Sequence, residues 1–253
     1  MNDVIFDRKL LLKNRQRYSL KNSKYNFLHQ HCADKLYEDI TSLPQRYINI
    51  LELQAFSKYL YELFTTNNNQ VNYIRSNDDI VCDEEYLAFK SDSFEMIISN
   101  LNLHFINHIP QFLNQVKQIL RTNGMAIMSF FGEDNLPELA QAIYLSENEL
   151  YGGISSRMIP TIDIKTAGQL FVKSGFKNVI ADIDEISLEF EDVMQLLYTL
   201  KFMSLGNVLM SRSRKFFSKK LLEKTCENYK KFHCHKNGNI LATFKIITVI
   251  AQK

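Results

Sequence analysis

Histidine and cysteine side chains that could bind a metal or move a proton occur at three places in the chain. His29 and His31-Cys32 form one cluster, and His233-Cys234-His235 forms another. Neither cluster has the spacing of a structural zinc site, and the sequence identifies no carboxylate for a facial triad, so we predict no bound metal. His104 is a candidate general base, because histidine titrates near neutral pH; a purely structural role at a helix start is the alternative.

Alternating strands and helices must position these residues. Apolar residues four apart on one face predict a helix over Phe27–Ile40, the second of two helices within residues 5–40. Short apolar runs predict adjacent parallel strands, and two longer alternating runs predict an antiparallel pair at one end of the sheet. The predicted strands are Tyr47–Leu53, Phe94–Ser99, Met125–Phe131, Val179–Phe190 and Ile240–Ala251. The other predicted helices are Ser57–Phe64, Pro110–Leu120, Leu136–Ser146, Thr166–Ser174 and a region over 192–231.

This alternation predicts an α/β fold with a mostly parallel sheet. We expect an N-terminal helical extension over residues 1–45 and one domain over 46–253, with a helical insertion at about 192–231. Only five residues separate Ile74 from Ile80, whereas a parallel crossover needs about a dozen or more. The extended pieces Val71–Ile74 and Ile80–Cys82 therefore cannot be joined by a helix, and one strand or its crossover must be missing or rearranged.

Composition narrows the class of protein. The chain has 253 residues, 45% of them hydrophobic, which is ample for a packed core. Its formal net charge of +2 argues against a nucleic-acid partner. The four cysteines form no CxxC pair, which predicts reduced thiols in a cytoplasmic protein. No apolar run reaches about 20 residues, so we predict no membrane span.

Basic residues are concentrated near the N-terminus. Residues 1–24 contain seven basic side chains against Asp3 and Asp7. A solvated helix face is one explanation, and a partner-binding surface is the other. The seven are Arg8, Lys9, Lys13, Arg15, Arg17, Lys21 and Lys24.

Several short motifs occur along the chain in a fixed order: Asp83–Phe89, Ser93–Asn100, Leu103-His104-Phe105, Asn123-Gly124, Gly152–Arg157, Ser174-Gly175-Phe176 and Ala242-Thr243-Phe244. By these motifs the chain resembles, nearly end to end, the class I methyltransferase family that includes the biotin-synthesis malonyl-carrier methyltransferases and the mitochondrial complex I assembly factor 5. The resemblance implies a Rossmann-like, seven-stranded sheet with an antiparallel terminal strand. It also implies S-adenosylmethionine (SAM) across the carboxyl ends of the first strands, and either methyl transfer or hydroxylation of an arginine on a complex I subunit.

The resemblance also assigns roles to single residues. Glu52 is expected at the methionine end of SAM, and Asp83 with Glu84 at the adenine; a solvated turn is the alternative for this acidic pair. Asn100, with His104, is expected at the cofactor and substrate edge. Arg157, in the Gly-Gly loop, is a candidate for contacting an acidic or carrier-bound substrate, with a surface role as the alternative.

The loop after the first predicted strand departs from the family pattern. Gln54, Phe56 and Lys58 stand where three glycines are expected. A bulky residue held at positive φ costs about 1–2 kcal/mol, and its side chain projects into the volume that the cofactor needs. Val71–Ile74 is followed by Arg75 rather than by the acid that would bind the ribose. We therefore predict weak SAM binding or none.

Two functions remain open. The chain is either an enzyme, a SAM-dependent methyltransferase or an arginine hydroxylase, or a pseudoenzyme that assists the assembly or modification of a protein partner such as a complex I subunit. The altered loop favours the second, and the family resemblance favours the first. A nucleic-acid enzyme that uses the basic N-terminus is disfavoured by the charge balance.

Overall fold

The computed structural model describes residues 4–18, 25–67, 70–76, 78–213, 217–235 and 237–253. Asp3, Lys21 and Lys24 of the basic N-terminal stretch lie outside these ranges. The strands are β1 (Asn49–Leu53), β2 (Asn72–Arg75), β3 (Phe94–Ser99), β4 (Leu120–Phe131), β5 (Lys177–Phe190) and β6 (Ile240–Gln252). The helices are α1 (Arg8–Tyr18), α2 (Phe27–Ser42), α3 (Tyr59–Asn67), α4 (Ile109–Ile119), α5 (Pro137–Tyr151), α6 (Ile164–Lys173), α7 (Val193–Phe202) and α8 (Lys219–His233), with a 3-10 helix at Leu103–Phe105.

The strands form one sheet in the order β2-β1-β3-β4-β6-β5. β1 is parallel to β2 and to β3, and β3 is parallel to β4. β6 is antiparallel to β4. Side-chain hydrogen bonds join Asn178 to Gln252 and Ser187 to Thr243, so β5 and β6 also run in opposite directions. The predicted Rossmann-like sheet with an antiparallel terminal strand is confirmed.

The segment after β2 differs from the family expectation. Ser76 forms a single parallel bridge to Ile80, and residues 80–82 are not a strand. The prediction that no helix joins these pieces is confirmed for the residues described here. The expected seven-stranded sheet is wrong, because six strands form in the described ranges. The connection from Ile74 to Ile80 is too short to return another full strand to the sheet.

The chain divides into two compact units. The helical unit contains the described residues within 1–25, 134–161 and 185–245, and the sheet unit contains those within 26–133, 162–184 and 246–253. α1 belongs to the helical unit and α2 to the sheet unit, and the domain boundary expected near residue 45 stays a prediction. α7 and α8, in the expected insertion, share the helical unit with α5.

Helices cover both faces of the strands in the sheet unit. Successive residues of a strand point to opposite faces, so Leu51 and Ile97 pack on one side while Ile50 and Ile98 pack on the other. The first cluster includes buried residues of α4 and α6, and the second includes residues of α2 and α3. This packing fixes the carboxyl ends of β1, β2 and β3, from which the candidate site is built.

Candidate cofactor site

The carboxyl ends of three parallel strands meet at one edge of the sheet unit. Glu52 in β1 lies opposite Arg75 in β2 and opposite Ile98 in β3. Asn100 directly follows β3. Ligands of open α/β sheets bind at this kind of edge. Three of the positions singled out in the sequence are therefore brought to the place where a cofactor would lie.

Glu52 is buried, with 2% of its surface exposed. The hydroxyl of Tyr73 donates a hydrogen bond to its carboxyl at 3.0 Å. Burial raises the pKa of Glu52 to about 8, although the Tyr73 hydrogen bond and the charge of Arg75 act in the opposite direction. The carboxyl is thus already bonded inside the protein and holds its proton up to a pH well above the usual range.

Gln54 begins the loop after β1 with a left-handed backbone, at φ 55°. Its N–H donates to the hydroxyl of Ser76 at 2.7 Å, and the N–H of Ser76 donates to the carbonyl of Glu52 at 2.8 Å. These bonds tie the loop to the end of β2. Of the three residues in glycine positions, Phe56 and Lys58 do not have positive φ, so the backbone strain expected for them is confined to Gln54.

Phe56 and Asn100 both contact His29 of α2. The Phe56 ring stacks on the buried His29 ring, with centroids 4.1 Å apart and planes 13° apart. The Asn100 amide donates to the His29 carbonyl at 2.9 Å and accepts from the Ser129 hydroxyl at 3.2 Å. Asn100 therefore connects β3 to α2 and β4, and Phe56 packs within the protein.

Arg75 occupies the end of β2, where the family pattern has an acid. Its guanidinium is buried, pairs with Asp78 and with Asp79 (3.2 Å), and lies 4.8 Å from the centre of the Tyr61 ring. The two carboxylates that follow β2 thus neutralise Arg75. An ion-pair cluster around the buried Arg75 therefore stands where the family pattern has an acid.

Asp83 and Glu84 lie in one turn but in different surroundings. Asp83 is exposed and accepts the N–H of Glu85 at 2.9 Å, whereas Glu84 is fully buried. Glu85, which was assigned no role from the sequence, accepts the N–H of Asn107 at 2.6 Å. The side chain of Gln115 in α4 donates to the Glu85 carbonyl at 2.8 Å. The acidic turn is therefore braced against α4, and the expected adenine contact stays a prediction.

His104 lies in the 3-10 helix with 6% of its surface exposed. Its Nδ1 accepts the N–H of Phe131 at 3.3 Å, and its ring centre is 4.2 Å from that of Phe105. An accepting Nδ1 assigns the proton of the neutral ring to Nε2. This geometry matches the structural alternative, and the general-base role stays a prediction.

Arg157 lies in the helical unit and is held by Glu147. Its Nε donates to the Glu147 carboxylate at 2.6 Å, and its guanidinium lies 4.9 Å from the centre of the Phe217 ring. Ser155 donates its N–H (2.8 Å) and its hydroxyl to the same carboxylate. Burial raises the pKa of Glu147, but the Ser155 hydrogen bonds and Arg157 outweigh it and lower the pKa. The expected substrate contact of Arg157 stays a prediction.

No described group of three or more His, Cys, Asp or Glu side chains could hold a metal ion. His31, in the first predicted donor cluster, bonds to Asp184 at 2.9 Å. Among the described helices, none combines the length and the apolar character needed to cross a bilayer.

Sequence comparison identifies the family. The model of the family described as "Methyltransferase domain" matches residues 42–128. The Rickettsia prowazekii protein named "Putative methyltransferase" is 32% identical over 187 residues, which are 68% of this chain and 82% of that protein. The chain belongs to the class I methyltransferase family. Family membership indicates SAM as the cofactor.

Two further comparisons extend over more of this methyltransferase-family chain. The human mitochondrial protein named arginine-hydroxylase NDUFAF5 is 26% identical, and the alignment covers 98% of this chain and 77% of that protein. The crystal structure of YcgJ from Bacillus subtilis has a TM-score of 0.51 at 12% identity, covering 88% of this chain and 98% of that one. The structural likeness shows the shared fold.

Proposed function

We propose that this methyltransferase-family protein has impaired or lost SAM use and acts on a protein partner, in whose assembly or modification it takes part. The proposal rests on the edge formed by β1 and β2, where Gln54, Phe56 and Arg75 replace the residues that would receive the cofactor. The alignment with a relative named as an arginine-hydroxylase supports a protein as the partner. Because the chain resembles the complex I assembly factor 5, a respiratory complex I subunit is the candidate we favour.

The side chains at this edge do not fit SAM. A cofactor in this position needs close approach to the backbone after β1, but the N–H of Gln54 is bonded to Ser76. It needs a carboxylate near its ammonium group, but the pKa of Glu52 is about 8 because of burial. It also needs an acceptor for hydrogen bonds from the ribose hydroxyls. The end of β2 instead holds Arg75, which is paired with Asp79. The N–H of Gln54, the carboxyl of Glu52 and the guanidinium of Arg75 each already have a partner within the protein.

An active enzyme is the second candidate function. Glu52 and Asn100 are retained at the strand ends, and the alignment with a relative named as a hydroxylase covers 98% of this chain. In this case the loop after β1 would have to repack around its larger side chains before a cofactor could bind. Direct measurement of SAM binding separates the two candidates.

We expect SAM at 1 mM to raise the melting temperature by less than about 1 °C. A rise of that size corresponds to less than about 0.5 kcal/mol of stabilisation and a Kd of about 1 mM or weaker. SAM at one hundred times its Kd would contribute about 2.7 kcal/mol and raise the melting temperature by roughly 5–10 °C. A thermal-shift titration with SAM and with S-adenosylhomocysteine makes this measurement.

The control is the triple variant Gln54→Gly, Phe56→Gly and Lys58→Gly. It restores the glycines but leaves Arg75 at the end of β2, so we expect it to bind SAM no better than the natural sequence. A rise of several degrees in the natural protein would contradict the proposal and support the enzyme.

The proposed partner surface contains the exposed face of α1. Arg8 and Arg15 are only half-exposed, whereas Lys9, Lys13 and Arg17 are exposed and lie at intervals of four residues on one side of the helix. α1 contains no acidic residue. We propose that this face, together with the segment 192–210 of the same unit, binds the partner protein.

Reversal of Lys9, Lys13 and Arg17 to Glu should reduce co-purification of a cellular partner at least tenfold without unfolding the protein. Arg8 and Arg15 are less suitable targets, since their half-buried side chains also make contacts inside the protein. The matched control reverses Lys220, Lys230 and Lys231 of α8, which are exposed and give the same change in net charge. If both variants retain the partner equally, the charge on α1 is ordinary solvated surface.

A further inference from the structure

A cavity of about 490 Å³ lies inside the helical unit, between α5 and the segment 158–161. Ala140, Leu145, Met158 and Ile159 give it apolar walls, and the ring of Tyr144 lines one side. Pockets for small ligands have volumes of roughly 300–1,000 Å³. The cavity is therefore large enough for a ligand of several carbon atoms.

The loop at its mouth holds two strained residues. Asp134 has φ 57° and Leu136 has φ 55°, in the left-handed region that costs side-chain-bearing residues free energy. The N–H of Leu136 donates to the Thr243 carbonyl at 2.8 Å, and the Asn135 side chain accepts the N–H of Lys245 at 3.0 Å. These bonds to β6 fix the loop in its strained form. Strained residues held in this way are found preferentially at ligand sites.

Asp134 supplies the charge at the cavity. Its side chain is exposed, lines the cavity and has no hydrogen bond or ion pair to any residue the structure describes. Gln141, another polar lining residue, is bonded to His233 at 2.7 Å. Among the residues that the structure describes, no Lys or Arg lines the cavity. Apolar walls with one uncompensated carboxylate are complementary to a cation on an aliphatic chain.

We propose that this cavity binds an aliphatic ammonium ion, with its charged group at Asp134 and its methylene chain against Met158 and Ile159. An ammonium group is a compact charge on a flexible stem, which suits a single carboxylate beside an apolar wall. The ammonium ion has two sources, a free amine or a lysine side chain of another protein. The proposal does not depend on whether SAM binds to the sheet unit.

The test is an NMR titration of the full chain, labelled with ¹³C at the methionine methyl groups, with n-butylammonium chloride. We expect a saturable shift of the Met158 methyl with a Kd of about 1–10 mM. Met96 and Met128, which are buried in β3 and β4, should not shift. The neutral analogue 1-butanol should bind at least about tenfold more weakly. The absence of a saturable Met158 shift, or equal binding of the alcohol, would overturn the proposal.

Two variants test the roles of the charge and of the cavity. Asp134→Asn should weaken n-butylammonium binding about tenfold or more; the fold is retained because asparagine tolerates the left-handed backbone. Glu191→Gln removes the same charge at another exposed site of the helical unit and should leave binding unchanged. Ala140→Leu fills the cavity and should abolish binding. Unchanged binding in Asp134→Asn or in Ala140→Leu would refute the site.

The source of the ammonium ion is distinguished by a second ligand, Nα-acetyl-lysine N-methylamide. Binding as tight as that of n-butylammonium would identify a lysine side chain of another protein as a ligand that fits. Binding only of n-butylammonium would identify a free amine. Both results support the ammonium site.

Discussion

Replacing Glu147 with alanine is expected to lower the free energy of unfolding by about 3 kcal/mol. The buried carboxylate of Glu147 accepts two hydrogen bonds from Ser155 and one from Arg157. Its removal leaves the Arg157 guanidinium, with 14% of its side chain exposed, without its carboxylate partner. Leaving a buried charge or donor unpaired is what makes such changes costly. Chemical denaturation at pH 7 measures the loss.

Glu149→Ala is the matched control for this variant. Glu149 is two residues further along α5 and pairs with Lys224 at an exposed position, so its removal should have a much smaller effect. The effect of Glu147→Ala should shrink as the pH falls below about 4.5. A carboxylate whose pKa is lowered in the folded state stabilises only while it is ionised. Equal losses in the two variants would show that Glu147 is not the centre of this network.

The parallel part of the sheet was predictable because β1, β3 and residues 124–131 of β4 are buried on both faces. These runs are short and mostly apolar, a pattern typical of strands between two helix layers, whereas residues 121–123 of β4 are polar and exposed. The absence of one of the seven expected strands was also predicted in part, because the five residues between Ile74 and Ile80 exclude a crossover helix. Whether the strand or its crossover would be lost could not be predicted, because that depends on how Ser76 pairs with Ile80 in the folded chain.

The contacts within the candidate site were less predictable. The sequence placed Glu52 at a strand end but gave no indication that Tyr73 bonds to it or that His29 stacks on Phe56. These pairs join elements far apart in the chain, and no local pattern specifies them. The role of Glu147 was not predictable from the sequence either. A single glutamate in a helix is common, and only the folded chain brings Ser155 and Arg157 to it. The left-handed backbone of Leu136 was not predictable either, because its hydrogen bond to β6 imposes this conformation.

Glu52→Gln is expected to stabilise the protein at pH 8 and to have little effect at pH 5. Burial raises the pKa of Glu52 to about 8, against an ordinary value of 4.5. Between these values the folded state holds a proton that the unfolded state has released. The stability of the natural protein should therefore fall as the pH rises from about 4.5 towards 8. Each pH unit in this window costs up to about 1.4 kcal/mol.

Glutamine removes this titration and keeps an oxygen that accepts the Tyr73 hydrogen bond. We expect the difference in unfolding free energy between Glu52→Gln and the natural protein to grow by about 2–3 kcal/mol between pH 5 and pH 8. Denaturation curves at half-unit pH steps give this difference directly.

Glu95→Gln is the control, because the pKa of Glu95 is shifted in the direction opposite to that of Glu52. Burial raises the pKa of Glu95, but hydrogen bonds from Ile48 and Asn49 and the charge of Arg121 lower it overall. The contribution of Glu95 is therefore present above about pH 4.5 and lost as the pH falls below it. Glu95→Gln should be less stable than the natural protein by the same amount at pH 5 and at pH 8.

The outcome for Glu52 also lends support to one or the other of the two candidate functions. If Glu52→Gln is less stable than the natural protein at pH 8, Glu52 is ionised there and Arg75 stabilises its charge. An ionised carboxylate at the end of β1 could attract the ammonium group of a cofactor, and the enzyme would gain support. If the stabilisation is observed, the carboxyl is neutral near pH 7. A neutral, buried carboxyl group bonded to Tyr73 has no charge with which to attract a ligand. This result would support the loss of SAM use.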